Sequence, residues 1–469
     1  MAFILYKKFG KQEYAYEAES YRDPVTKKPK HRQKYLGVVV DKEHGIYEKR
    51  RSQNQKTEKQ ILDYGDSYLM ESIVRELPVY GVLKSVFGNM LDTLMALVFH
   101  RIADGGAMCH AENWYDGNYV SKLYPEANVT SPNISMFLRY IGKESVQRAF
   151  FTEYIPLVCP NDAGVVIDST GLPNEINMPI TDWGHHNGGI EFETRLILAI
   201  ERKNGQPLYF RYVAGNIGDV STLANTISEM KNLGISTTSA LIDAGYYSET
   251  NLKLLFGAEI AFMIRMPSNR IIYREIIDGN PDIESPEYAV IYDKRGLFVK
   301  EQEVEIYGHR AYAYLVLDPE RRGREVSGLV SKKNEKGVDF AKTDFSNCGK
   351  MILLSSEKLN TDDAVPLYYT RQVAERMFGI AKDDLCILPL RTHSEPNFKG
   401  FMLLVFISLI ISVAVKNRLT DISIEKTVST LRTLKCKVYD NSIIPNEVTK
   451  KQRLIFEAAN VVVPKICRV

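Results

Sequence analysis

The chain has 469 residues, 45% of them hydrophobic and 25% charged, with 60 Lys+Arg against 58 Asp+Glu. That is a globular composition, long enough for two to four structural units and for a core that needs no staples. The six cysteines (Cys109, Cys159, Cys348, Cys386, Cys436, Cys467) are scattered without a CxxC pair. This argues against disulfides and a zinc site, and for a reducing, cytoplasmic compartment.

The N-terminal Met-Ala-Phe-Ile-Leu-Tyr-Lys-Lys has too short an apolar run for a signal peptide. Residues 1–60 hold 15 Lys/Arg against 8 Asp/Glu and residues 411–469 hold 11 against 5, which leaves a balance of −11 between them. Basic ends suit a polyanionic partner, and an acidic middle suits an enzyme that gathers carboxylates around metal ions. A solvated Lys-rich surface is the plain alternative.

Residues 1–56 form the first region. Aromatic alternation (Tyr14, Tyr16) broken by Asp23-Pro24 and the tract Lys27-Lys28-Pro29-Lys30-His31-Arg32 predicts a β-hairpin with a basic tip. Residues 57–158 carry Leu62, Tyr68, Ile73, Leu77, Leu83, Val86, Leu91, Leu94 and Leu97 at three- and four-residue steps, a helical domain and a candidate DNA-binding one. Within it Ser131-Pro132 starts a helix that Gly142 ends before another begins. The pair reads either as a helix-turn-helix or as plain bundle packing.

Residues 159–267 change texture. Val165-Val166-Ile167-Asp168 is a β-branched run ending in a carboxylate, followed by strands at Thr194–Glu201 and Leu208–Val213. A helix from Asp219 to Leu233 leads to Ser239-Ala240-Leu241-Ile242-Asp243, a short helix capped by Ser248, and a strand from Glu259 to Arg265. This is a mixed sheet flanked by helices, with both aspartates at the carboxyl ends of strands, where open α/β sheets place their sites. Residues 268–360 lose the helix period and alternate, which predicts an all-β insertion. Helix returns over 361–419, including the apolar run Phe401–Val415, read as a buried helix because it falls short of the ~20 residues that cross a bilayer. Residues 420–469 read as a basic helical tail.

An Asp at a strand end is usually a turn former or a cap. Here two of them converge with a third acid: Tyr368, Arg371, Glu375 and Lys382 lie at offsets of three, seven and fourteen, close to whole turns of one helical face. A solvated stripe with an Arg371–Glu375 ion pair is the ordinary reading of such a face. However, Val373, Met377, Phe378 and Ile380 supply the opposite, core-facing side, which leaves the charged face to the cleft. Three converging carboxylates need cations, and hard oxygen ligands without His or Cys select Mg²⁺ or Mn²⁺. Two such ions ~3.5–4 Å apart serve phosphodiester cleavage or transfer.

Tyr368-x2-Arg371-x3-Glu375-x6-Lys382 resembles the "YREK" signature of the DDE transposases of the insertion-sequence-4 superfamily. Asp168 in Val-Ile-Asp-Ser-Thr and Asp243 in Asp-Ala-Gly-Tyr-Tyr resemble its two catalytic aspartates. Gly205-Gln206-Pro207-Leu208 and the segment from Gly215 to Leu223 resemble two further family segments. The resemblance covers residues 160–415. It implies an α/β, RNase H-like catalytic core interrupted by the β insertion, and metal-dependent nicking at the ends of a mobile DNA element followed by strand transfer. It also implies that Asp168, Asp243 and Glu375 ligate metal while Tyr368, Arg371 and Lys382 grip terminal phosphates of double-stranded DNA. Joining two ends to one target implies a homodimer on DNA, acting in the cytoplasm at the nucleoid and not at a membrane. A metal nuclease without strand transfer and an inactive transposon-derived DNA-binding protein are the rival readings.

Other residues divide the same way. His185-His186 sits in a predicted loop, as a DNA contact more than a metal pair. Asp219 reads as a helix cap, with a supporting role beside the site as the alternative. Arg265, Arg270, Arg295 and Lys300 are candidate DNA contacts of the insertion. Tyr288, Tyr292 or Phe298 are candidates to stack on an unpaired base, or plain sheet packing. His393 either belongs to the family segment or caps the next helix.

Overall fold

The computed structural model describes residues 2–9, 12–23, 27–42, 44–48, 58–160, 163–186, 189–336, 345–392 and 394–467. The chain divides into two compact units: Met1–Ile61 with Cys436–Pro445 and Pro464–Val469, and Leu62–Lys435 with Asn446–Val463.

In the first unit the alternation of residues 2–48 builds more than a hairpin. Ala2–Phe9, Gln12–Arg22, Pro29–Asp41 and Ile46–Glu48 form a four-stranded antiparallel sheet in chain order. Ala15 and Ala18 are buried, and the Tyr16 and Tyr35 rings meet across strands at 5.4 Å. The first strand ends its pairing at Ala2–Glu19, whereas the central pair continues through Ser20–His31, Tyr21–Lys30 and Arg22–Pro29. The sheet therefore narrows to a two-stranded ribbon, closed by an Asp23–Lys30 ion pair. The C-terminal region is not purely helical. Lys435–Tyr439 and Ser442–Pro445 form an antiparallel hairpin between the helices Ile424–Arg432 and Lys450–Ala458. Cys436 and Val438 alternate with lysines there, a period-two signal submerged in basic composition.

In the second unit, helices Gly65–Glu76, Val79–Phe87, Leu91–Ala103, Ser131–Ile141 and Glu144–Val158 form with the long helix Glu395–Arg418 a bundle beside the sheet. The apolar run is thus part of a 24-residue helix, long and apolar enough by composition to span a bilayer, but 89% of its most apolar window is buried inside the fold. The pair of helices around Gly142 follows the bundle reading. Phe150, Phe151 and Tyr154 pack on Phe406, and the Tyr154 hydroxyl donates to the Pro207 carbonyl at 2.7 Å. A Cβ on Gly400 would stand 1.9 Å from the Leu138 carbonyl oxygen, and one on Gly142 2.3 Å from that of Pro396. Gly400→Ala is therefore expected to cost at least about 2 kcal/mol through forced separation of the helices. An unshifted urea midpoint would contradict this.

The catalytic-core expectation of a mixed sheet holds, and the sheet is larger than expected. Ten strands run in the order Ala289–Tyr292, Arg295–Ile306, His309–Leu317, Lys350–Ser355, Ala261–Arg265, Thr237–Ile242, Ala163–Pro173, Gly189–Glu201 and Asp182–His186, with Pro207–Ala214 also on Gly189–Glu201. The three strands from Ala261–Arg265 to Ala163–Pro173 are parallel to one another, and the rest pair antiparallel.

Two expectations are corrected here. Residues 268–360 are not an all-β insertion, because their strands extend this same sheet and they contain the helices Ile271–Asp278 and Pro319–Lys336. The second helix is strongly polar, PERRGREVSGLVSKKNEK, so it carries no apolar period to read. Residues 182–186 are a strand rather than a loop, paired with residues 189–193.

Candidate active site

Strand pairing brings the two aspartates together. Ile242 lies beside Ile167 in the parallel pair, so the residues that follow, Asp243 and Asp168, are neighbours. Asp243 stands just past the end of its strand, but Asp168 does not end its own as expected, because Ala163–Pro173 runs five residues further, paired to Gly189–Glu201. Asp168 is 9% exposed, and its Oδ1 accepts from the Ser169 amide at 2.9 Å. Burial pushes its carboxyl up to about 6, against the pull of Arg371 and the Ser169 N–H.

The third acid arrives on a segment that is not one continuous helix. Thr361–Tyr369 ends at Thr370, whose Oγ1 turns back to the Leu367 carbonyl at 2.7 Å. The amides of Arg371 and Val373 bond three residues back, the tighter 3₁₀ pattern, before Gln372–Gly379 resumes. Ile380–Asp384 then widens into a π-turn that carries Lys382. The expected single face is therefore broken at Thr370 and again at Ile380. Its four residues still converge on the two aspartates and the strand of Asp168.

Arg371 sits at the centre. Its guanidinium meets Asp168 Oδ2 at 2.8 Å, Glu375 Oε1 at 2.9 Å and Asp243 Oδ1 at 3.9 Å. Burial works against its charge, but Asp243 and Asp168 hold its pKa above the ordinary arginine value. The Tyr368 hydroxyl donates to Asp243 Oδ1 at 3.4 Å, and burial, with Asp243, pushes its pKa up to about 12, so it keeps its proton. Lys382 Nζ donates to Thr170 Oγ1 at 2.7 Å, and burial lowers its pKa. The six expected site residues thus gather around the middle of the Ala163–Pro173 strand and the end of Thr237–Ile242.

Asp219 does not cap its helix. Gly218 holds the cap position and Asp219 opens the helix Asp219–Asn232, with its Oδ1 accepting from Ser169 Oγ at 2.5 Å and from an Arg195 Nη at 3.0 Å. Arg195 also binds the buried Glu193 at 3.1 Å. A Glu193–Arg195–Asp219–Ser169 chain therefore backs Asp168. Local sequence supplies a cap signal for Asp219, and only the tertiary pairing of the 189–201 strand redirects it.

Residues 160–411, more than half of the chain, match the family described as "Transposase DDE domain". The chain belongs to this family of DDE transposases. Among solved structures it is similar to a cryo-EM structure of the piggyBac transposase synaptic complex with hairpin DNA, at 11% identity over 78% of this chain and 79% of that one, with a TM-score of 0.43. No curated protein matches it.

In this transposase the donor set around Arg371 is wholly carboxylate, the chemistry that suits Mg²⁺ or Mn²⁺. Among the described residues, no three His, Cys, Asp or Glu side chains stand close enough to hold an ion; the three acids meet the Arg371 guanidinium instead. The acids thus suit a divalent ion in kind, and in this arrangement Arg371 supplies the neutralising charge.

Most of the insertion candidates have protein partners. Arg295 pairs with Asp318, Lys300 with Asp282 and the Tyr288 ring, and Arg270 lies over Tyr247. Tyr292 stacks on Tyr369 at 5.1 Å. Arg265 and Phe298 are half-buried strand residues. His393 lies outside the described residues.

Proposed function

We propose that this transposase cuts DNA at the ends of a mobile element of the insertion-sequence-4 type and joins the freed 3′ ends to target DNA, using an RNase H-like core. Asp168, Asp243 and Glu375 are read as its metal-holding acids. The observation that carries the reading is that carboxylates from three separate segments reach one guanidinium within 3.9 Å.

Two divalent ions, when bound by these acids, supply water activation and stabilise a departing 3′ oxygen. In the cleavage step a water oxygen bonds to phosphorus, the P–O3′ bond breaks, and the proton lost by water is balanced by one taken up at the 3′ oxygen. In the joining step the 3′ oxygen bonds to a target phosphorus while that phosphorus releases its own 3′ oxygen. One diester replaces another, and no energy source is required. Lys382 and Arg371 neutralise the phosphates in this reading. Arg371 turns from the carboxylates to a phosphate that its fork matches bidentately. The protonated Tyr368 hydroxyl donates to a phosphate oxygen.

The test is incubation with Mg²⁺ or Mn²⁺ and labelled duplexes from the element ends. Nicks confined to the ends, absent in EDTA, are expected. Metal-dependent cutting at unrelated sequences would favour the nuclease, and binding without cutting the inactive descendant. The reading extends to a homodimer on DNA, with one site for each end, working at the nucleoid.

The ribbon of the first unit suits the DNA partner. Arg22, Lys27, Lys28 and Lys30 are exposed on it, with Arg32 and Lys34 exposed at its base, and a two-stranded ribbon fits a major groove. Changing Arg22, Lys28, Lys30 and Arg32 to Gln is expected to weaken duplex binding and flatten the log–log salt slope by about 2–4, at about 0.9 per phosphate contact. Unchanged affinity across a salt titration would remove the ribbon from the interface.

A further inference from the structure

We infer that Arg101, on the Leu91–Ala103 helix, is a positioning residue for Lys382, acting through the backbone that closes the π-turn. The inference rests on the reading of Lys382 as a DNA-phosphate contact.

Arg101 is 3% exposed, and among the described residues it forms no ion pair. One Nη instead donates to three carbonyls, those of Gly105 at 3.0 Å, Leu385 at 3.2 Å and Cys386 at 3.4 Å, and the guanidinium lies 5.1 Å from the centre of the Phe401 ring. Burial lowers its pKa to about 10, so it remains a cation at neutral pH. A buried charge is costly unless it is hydrogen-bonded; here the two N–H groups of one Nη are shared among backbone carbonyls at one particular place, while Nε has no partner among the described residues.

That place is the exit of the π-turn. Leu385 and Cys386 directly follow Ile380–Asp384, and the Leu385 and Ile387 amides bond back to Ile380 at 2.8 Å and Ala381 at 2.9 Å. Cys386 has φ +45°, an uncommon conformation for a residue with a side chain. Gly105, at φ +65°, approaches it so closely that a Cβ there would lie 2.9 Å from Cys386 Sγ. A π-turn is rare and holds an extra residue relative to an α-turn, so relaxation would rotate Lys382 away from Thr170, two residues beyond Asp168. Arg101 bridges the far end of this turn to the helix bundle. The geometry gives it a role that a core-filling residue of the same size does not have.

The test is a double-mutant cycle of Arg101→Lys and Lys382→Ala in the full-length protein, with Arg101→Met as a second probe. It is read by single-turnover end cleavage and by amide hydrogen exchange. Arg101→Lys keeps the charge but moves it onto a flexible stem, losing the fixed planar aim of the Nη at the three carbonyls. It is expected to slow cleavage about ten- to a hundredfold, the scale of a 1 Å misplacement. In the Lys382→Ala background it should slow cleavage no further, because the group it positions is gone. Exchange at Leu385 and Ile387 should accelerate selectively. A purely structural Arg101 would lower the melting temperature, give additive losses and spare those two amides. Additive losses, or unchanged exchange at both amides, would overturn the inference. A wild-type protein that binds the ends but cuts none would instead fail the function reading. The salt slope of binding would then replace cleavage in the same cycle, with equal slopes for Arg101→Lys and wild type overturning the inference.

Discussion

Glu375→Gln is expected to lower metal-dependent cleavage by at least about a thousandfold, roughly 4 kcal/mol of transition-state stabilisation, while thermal unfolding barely moves. The two effects separate because of where Glu375 sits. Its side chain is 59% exposed and pairs with Arg371 at 2.9 Å across one helical turn. Exposed pairs of this kind contribute about 0–1 kcal/mol, and glutamine preserves the shape. What the substitution removes is a full negative charge at the point where the three acids converge. Cleavage within tenfold of wild type would exclude Glu375 from the reaction. A fall in melting temperature matching the loss of activity would reassign it to folding.

Arg371→Gln is expected to act first on stability. Without the guanidinium, Asp168, whose side chain is 12% exposed, keeps a buried carboxylate with no cation beside it. Removing one partner of a fully buried pair costs about 3–5 kcal/mol, and the exposure of Asp243 and Glu375 brings the expectation here to about 1–3 kcal/mol in metal-free buffer. Mn²⁺ should then raise the melting temperature of the variant more than that of wild type, where Arg371 competes for the same carboxylates. Calorimetric melts with and without Mn²⁺ check this. Equal metal-free midpoints and equal Mn²⁺ shifts would show that the guanidinium does not stand where an ion would bind.

The juxtaposition of the two aspartates was legible because apolar β-branched runs lead into Asp168 and Asp243; that the strand of Asp168 continues to Pro173 was hidden by the polar residues and glycine that follow it. The gathering of Tyr368, Arg371, Glu375 and Lys382 was legible as a helical period. Their actual path was not, since a period counts residues equally along a straight helix and along one broken at Thr370 and widened at Ile380. The ten-stranded sheet escaped for a different reason. Alternation in residues 289–317 announces strands but carries nothing about which distant strand, here Lys350–Ser355, they join. Long-range pairing likewise hid the part of Asp219, which local chemistry reads as a cap, and of Arg101, which reads as the polar end of an apolar helix. The extra strand pairs at both termini were obscured by charged residues interleaved with the apolar ones.

Strand transfer is followed with a labelled, pre-nicked element end carrying a free 3′-hydroxyl. It is incubated with the protein, Mg²⁺ or Mn²⁺ and a supercoiled target plasmid. Label is expected to become joined covalently to the plasmid, dependent on metal and lost in Asp168→Asn and Glu375→Gln. Label that stays unjoined while the protein binds the end and nicks DNA would contradict strand transfer and leave a nuclease on the same fold.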